Sequence, residues 1–219
     1  MAERRPRTRV YVDGFNFYYA AFRRGDFGSY KWLDLVRFCE AALPRNDIDL
    51  VRFFTARLDP ARGRGAQRAR QDVYLEALST LPRLTAHFGE FVEHSKRLRL
   101  VSAPPGGPRT AEVWVPEEKG SDVNLAAHLM LDAFRDACDV AVVVSNDADL
   151  LEPVRLVREE LARTVGVIRV DGGQRKCIFG GRVDFVRTVR RGHFAAAQLP
   201  EAVAGAHGRT VVKPFEWRV

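Results

Sequence analysis

The stretch "VAVVVSNDADLLEPV" (140–154) decides the fold. Residues 140–144 are apolar without interruption, and the run stops at Ser145, Asn146, Asp147 and Asp149. A strand that is apolar at consecutive positions, not alternate ones, is buried on both faces, as in a parallel sheet covered by helices. Beyond it, "DLLEPVRLVREELA" (149–162) changes to helical spacing. Sites in parallel sheets form outside the carboxyl ends of the strands, which is where both acids fall.

Working outward, strand and helix patterns alternate. "TRVYVD" (8–13) reads as a short buried strand ending in an acid, and "GFNFYYAAFRRG" (14–25) as a helix closed by Gly25. "YKWLDLVRFCEAALP" (30–44) reads as a second helix, and the centre of "IDLVRFFTARL" (48–58) as a strand. A loop then leads into a helix over 61–82, with Val73, Ala77 and Leu78 on its apolar stripe, and "LTAHFGEFVEH" (84–94) is the next strand. Residues 96–115 place two β-rich arms around a Pro/Gly turn, a hairpin-like insertion. "KGSDVNLAAHLMLDAFRDAC" (119–138) is helical, with an expected stripe of Val123, Ala126, Met130, Ala133 and Ala137, opposite His128, Asp132 and Arg135. "TVGVIRV" (164–170) is a further buried strand. The expectation is a Rossmann-like, three-layer α/β fold on a mainly parallel sheet. The domain is expected over 8–190, followed by a C-terminal extension, 191–219, that is either packed or a tail.

Composition sets bounds on this reading. The chain has 219 residues, 46% of them hydrophobic, enough for one α/β domain that buries roughly 70% of its unfolded surface. Its net charge of +7 favours polyanions. Cys39, Cys138 and Cys177 are odd in number and far apart, which excludes a disulfide framework and a zinc-finger pattern and suits the cytoplasm. The first ten residues lack a secretory apolar segment, and no run reaches the ~18 apolar residues of a membrane span.

Asp13 ends the first strand, Asp147 and Asp149 follow the strand at 140–144, and Asp122 opens the helix after the hairpin. Each has an ordinary explanation. Asp149 with Glu152 resembles a capping box, Asp122 suits a helix N-terminus, and Asp13 suits a turn with Gly14. Together they are harder to dismiss, because carboxylates ~4 Å apart repel by roughly 1–4 kcal/mol. A divalent cation removes that cost. Mg²⁺ prefers oxygen ligands, and such a cluster suits metal-assisted hydrolysis of phosphodiesters.

In order along the chain, "VYVDGFNF" (10–17), "EEKGSDVNLA" (117–126) and "VVVSNDADLLEPV" (142–154) resemble the NYN branch of the PIN-like nucleases, the LabA-like group. The resemblance covers roughly 8–190 and implies Mg²⁺- or Mn²⁺-dependent cleavage of RNA at an acidic pocket. It implies Asp13, Asp122, Asp147 and Asp149 as metal ligands and catalytic acids, with Asn16 as the companion of Asp13. Lys119, Ser145 and Asn146 are implied as substrate contacts.

An acidic pocket that takes RNA needs positive charge around it. The candidates are Arg62, Arg64, Arg68 and Arg70, then Lys96, Arg97 and Arg99, and finally Arg175 and Lys176. Of the aromatic residues at 15–32, Tyr18, Tyr19 and Tyr30 are candidates for stacking on bases, and a homodimer is left open. Two alternatives stand beside the ribonuclease. One is a non-catalytic RNA-binding module that keeps the pocket. The other is a haloacid-dehalogenase-like phosphatase, against which Gly14 and Phe15 stand where a second acid would follow Asp13.

Overall fold

The computed structural model describes residues 4–60, 64–103, 105–171, 173 and 176–218. Strand β1 (Arg7–Asp13) leads into a four-residue helix α1 (Gly14–Phe17), which continues as a π-helix over Tyr18–Arg23. The expected helix over 14–25 is therefore widened by one residue per turn in its second half, a geometry that tends to occur at functional sites. Helix α2 covers Leu35–Ala42, shorter than the 30–44 expected, because Asp34 caps it by accepting from the Val36 and Arg37 amides. Strand β2 (Asp47–Ala56), helix α3 (Gly65–Ser79), strands β3 (Leu84–Arg99) and β4 (Thr110–Lys119) and helix α4 (Ser121–Phe134) follow. Then come β5 (Val140–Val144), α5 (Leu151–Glu159), β6 (Thr164–Arg169), β7 (Phe185–Thr188) and α6 (Arg191–Ala196). A short antiparallel pair, β8 (Ala202–Ala204) and β9 (Thr210–Val212), closes the chain.

Among the described residues, seven strands form one sheet in the order β4-β3-β2-β1-β5-β6-β7, parallel throughout except where β3 meets β4. The order reverses between β1 and β5, and the crevice outside their carboxyl ends is the expected place for a site. Side chains alternate across the sheet. Val10, Val12, Val142 and Val144 join the core with α2 and Phe194 of α6, whereas Tyr11, Ala141 and Val143 join the core with α4 and α5. Helices on both faces make the three layers.

The hairpin is larger than its expected 96–115 bounds. Residues 84–89 of β3 pair with β2, and residues 90–99 run on past the sheet body to pair with all of β4. It is a continuation of a core strand, not a separate insertion. The turn chemistry was legible, but nothing local marks where a strand changes partners.

Helix α4 departs from its expected stripe. Its buried face carries Leu125, Leu129, Asp132 and Ala133, and Val123 is 72% exposed. The carboxylate of Asp132 accepts from Arg52 Nε at 2.8 Å, Arg52 Nη2 at 3.1 Å and the Tyr11 hydroxyl at 2.9 Å, with Arg9 Nη1 at 3.0 Å. Burial opposes its charge, but the bonds from Arg52 and Tyr11 and the charges of Arg52 and Arg9 hold it below the usual carboxylate range.

The segment after residue 190 is packed. Phe194 is fully buried and stacks on Phe27 at 4.3 Å, Trp32 Nε1 donates to the Pro200 carbonyl at 2.7 Å, and Trp217 lies against Trp32 and Tyr74.

Replacing Asp132 by Ala leaves the largely buried Arg52 guanidinium and the Tyr11 hydroxyl without their carboxylate acceptor, and leaves Arg9 with Asp49 alone. The expected loss is about 3 kcal/mol of folding stability, read as a lower urea midpoint at unchanged slope.

Candidate active site

Asp13 ends β1 and caps α1. It is 5% exposed, its Oδ1 accepts from the Asn16 amide at 3.0 Å, and its Oδ2 accepts from the Ser145 hydroxyl at 2.8 Å. The next residue must be glycine, since a Cβ on Gly14 would sit 2.7 Å from the Phe54 carbonyl oxygen and 2.9 Å from the Phe53 ring. Ser145 Oγ also accepts from the Asp147 amide at 3.1 Å, and Asp147 Oδ1 accepts from the Asp149 amide at 3.0 Å. Asp147, not Asp149, therefore caps the short helix at Ala148–Leu150. A second line of bonds braces the loop. Asn16 Oδ1 accepts from the Asn146 amide at 3.1 Å, and Asn146 Oδ1 accepts from the Ile178 amide at 3.1 Å.

The third segment arrives through Gly120, whose φ of 94° suits glycine. Glu118 Oε1 accepts from the Ser121 amide at 3.0 Å, and Asp122 stands in the first turn of α4. Asp13, Glu118, Asp122 and Asp147 line one open pocket of about 290 Å³, together with Phe15, Asn16, Tyr19, Ala20 and Arg24. Burial, then the charges of Asp13, Asp147, Glu118 and Asp149, push Asp122 up to about 6. Burial is also the first cause of the raised Asp13 pKa, against the bonds from Asn16 and Ser145. Clusters of carboxylates with raised pKa values mark functional clefts.

Of the expected site residues, Asp13, Asn16, Asp122 and Asp147 share this pocket, and Asp149 is exposed beside it. Ser145 and Asn146 stand at its edge with their side chains holding the two loops in place. Lys119 does not join: its Nζ lies 2.7 Å from Glu117 Oε2. Arg64 pairs with Glu93 at 2.7 Å, and Arg68 with Asp72 at 2.7 Å, so both tie the fold together. Lys176 is exposed, and its carbonyl accepts from Asn146 Nδ2 at 3.3 Å. Arg62 and Arg175 lie outside the described residues.

Glu118 and Arg24 were not anticipated. Strand alternation could have found Glu118, since in "VPEEKG" it falls on the face opposite Glu117 and Lys119. Arg24 follows the π-helix, and its guanidinium lies 5.7 Å from the centre of the Tyr19 ring. No sequence rule aims it at the pocket.

The donor set is all oxygen. Among the described residues, no three acidic, histidine or cysteine side chains form a ready-made metal cage. Carboxylates lining an open pocket suit a cation that keeps much of its water and takes one or two protein ligands, as Mg²⁺ does.

The NYN domain family profile matches residues 7–179. The chain is 29% identical to the protein named 6-hydroxy-3-succinoylpyridine 3-monooxygenase from Pseudomonas putida (strain DSM 28022 / S16), over 96% of this chain and 75% of that one. A crystal structure of a protein of unknown function from Vibrio parahaemolyticus matches with a TM-score of 0.53 at 14% identity, covering 91% of this chain and 99% of that one. That last likeness concerns the fold alone.

A carboxyl whose folded pKa of about 6 lies above its unfolded value holds a proton more tightly in the native state. Its ionisation therefore costs stability as pH rises from about 4 through about 6. In chelator-treated protein, Asp122→Asn should melt higher than wild type at pH 7.5, by about 1 kcal/mol once solvent screening is allowed for. The gain should shrink to nothing near pH 4, and a difference that grows on acidification would contradict this assignment.

Proposed function

The chain belongs to the NYN domain family, and from that premise we propose that it is a Mg²⁺- or Mn²⁺-dependent ribonuclease. One observation carries the reading: carboxylates from three distant segments line a single open pocket at the carboxyl ends of β1 and β5. Asp13, Glu118, Asp122 and Asp147 supply the oxygen donors, of which one or two would hold a hydrated cation. Such a cation would stabilise negative charge on a scissile phosphate. Ser145 and Asn16 keep Asp13 ionisable and aimed by bonding it from two sides. Asp149 adds negative charge next to Asp147 and starts the following helix. Among the described residues Arg24 is the basic side chain that lines the pocket, and it would grip a phosphate oxygen; exposed Lys176, whose carbonyl accepts from Asn146, would add positive charge nearby.

A second reading follows from the relative named as a monooxygenase. The likeness spans 96% of this chain, and Phe15 and Tyr19 give the pocket an aromatic wall that suits a planar ring. Conversion of a hydroxylated pyridine acid in the same pocket is therefore the alternative.

A panel on purified protein separates these readings. We expect cleavage of labelled single-stranded RNA with Mn²⁺ or Mg²⁺, abolished by chelator and reduced about 100-fold or more by Asp147→Asn or Asp13→Asn. Phosphate release from p-nitrophenyl phosphate without RNA cleavage would point to a phosphatase, and RNA binding without cleavage to a non-catalytic module. Turnover of 6-hydroxy-3-succinoylpyridine by protein inert to RNA would overturn the ribonuclease in favour of the second reading. Independently of activity, Mn²⁺ should raise the melting temperature of wild type in a concentration-dependent way, and Asp13→Asn should blunt that rise.

A further inference from the structure

Helix α4 has two apolar sides. One packs on the sheet through Leu125, Leu129 and Ala133. The other faces outward, where Val123 is 72% exposed and Phe134 76%, Ala127 and Leu131 are exposed between them, and Met130 is half-buried. Val123, which spacing assigns to the core, heads this outer stripe. The outer face of a surface helix normally carries charged and polar residues, and a helix that is apolar all round is one that is covered all round. Exposed apolar stripes of this kind mark interfaces.

The spacing indicates what covers it. Val123, Ala127, Met130 and Phe134 follow one another at intervals of four, three and four residues, the repeat of a seam by which one helix takes another. The positions beside the seam are Asn124, Ala126, Leu131 and Ala133, none of them charged. At such flanking positions opposite charges select an unlike partner helix. Here a charged partner finds nothing to match, whereas a second copy of this chain brings a seam as neutral as this one. Elsewhere the net charge of +7 makes two copies repel, so a charge-free stripe is where they can meet.

A two-fold axis makes the same surface meet itself. With the helices antiparallel, Val123 lies in one layer with the partner's Phe134, and Ala127 in one layer with the partner's Met130, so a smaller side chain accompanies a larger one in each. With the helices parallel, alanine would meet alanine and leave a gap beside a crowded pair of phenylalanines.

We propose that two copies of this chain pair through antiparallel α4 helices along the seam Val123–Ala127–Met130–Phe134. The seam begins one residue after Asp122 of the pocket, so the dimer carries its two pockets at opposite ends of the helix pair. The two Asp122 positions then lie roughly 20 Å apart along the helix direction, at 1.5 Å per residue. The inference uses nothing from the ribonuclease reading, and either can fail without the other.

A single 14-residue helix offers only part of the ~800 Å² per partner of a standard interface, so the dimer is expected to be weak and visible by concentration. Sedimentation equilibrium from about 1 to 300 μM should show wild type passing from the mass of one chain to that of two. Val123→Glu and Phe134→Glu each put a charge into the seam and should each weaken association about tenfold or more. Leu98→Glu, at an exposed apolar position of the β3–β4 hairpin, is the control and should associate like wild type. Circular dichroism and melting curves at the lowest concentration establish that each variant is folded. The register is read by mild oxidation of Val123→Cys and Phe134→Cys chains in a Cys177→Ser background, Cys39 and Cys138 being buried. The two variants mixed should cross-link, and neither should cross-link alone. Wild type that stays a single chain throughout refutes the dimer and leaves the seam to an unlike protein. Association untouched by both glutamates, or lost equally with Leu98→Glu, places the contact elsewhere and overturns the proposal, as does a Val123→Cys chain that links to itself.

Discussion

A nearly buried carboxylate held by neutral donors is the constraint on which the site depends. Asp13 is buried at the junction of β1 and β5, and burying such a charge is costly unless it is hydrogen-bonded. Here the partners are the Asn16 amide and the Ser145 hydroxyl, one from the helix it starts and one from the loop after β5, 132 residues away. Satisfying Asp13 fixes Ser145, which accepts from Asp147, which in turn accepts from Asp149. The geometry of the far loop is therefore set from the first strand.

The protein buries a second acid by the opposite means. Asp132 meets two guanidinium groups and is held ionised below its ordinary range, whereas Asp13 meets only neutral donors and further carboxylates and is pushed upward. Helix α4 joins the two environments: Asp122 of the pocket and Asp132 both lie on it, about 15 Å apart at 1.5 Å per residue. A paired buried acid serves structure. An acid among other acids retains an unmet demand for positive charge, and that demand is what a cation would answer.

Alternation along β4 then decides which residues reach the pocket. Glu117 and Lys119 share one face and neutralise each other, and Glu118 takes the other and joins the acids. The same rule, carried up the ribbon, divides Arg97 and Trp114 from Lys96 and Leu98. A motif read as a row of letters treats neighbours as companions, but an extended backbone sends them to opposite sides.

The sequence by itself determined the alternation of strands and helices, the parallel sheet and the acids at the strand ends. Those features are written in local spacing: an uninterrupted apolar run at 140–144 and an acid where each strand stops. It also carried the family, through three motifs in order. What only the tertiary structure decided were the partners. Asp132 looked like surface until Arg9 and Arg52 came from two other strands, Asp149 looked like a cap until Asp147 took that place, and Arg24 gave no sign of its pocket. The reason is physical. Periodicity reports burial within one element, whereas the fate of a polar side chain is set by which charges the other elements bring to it across the fold.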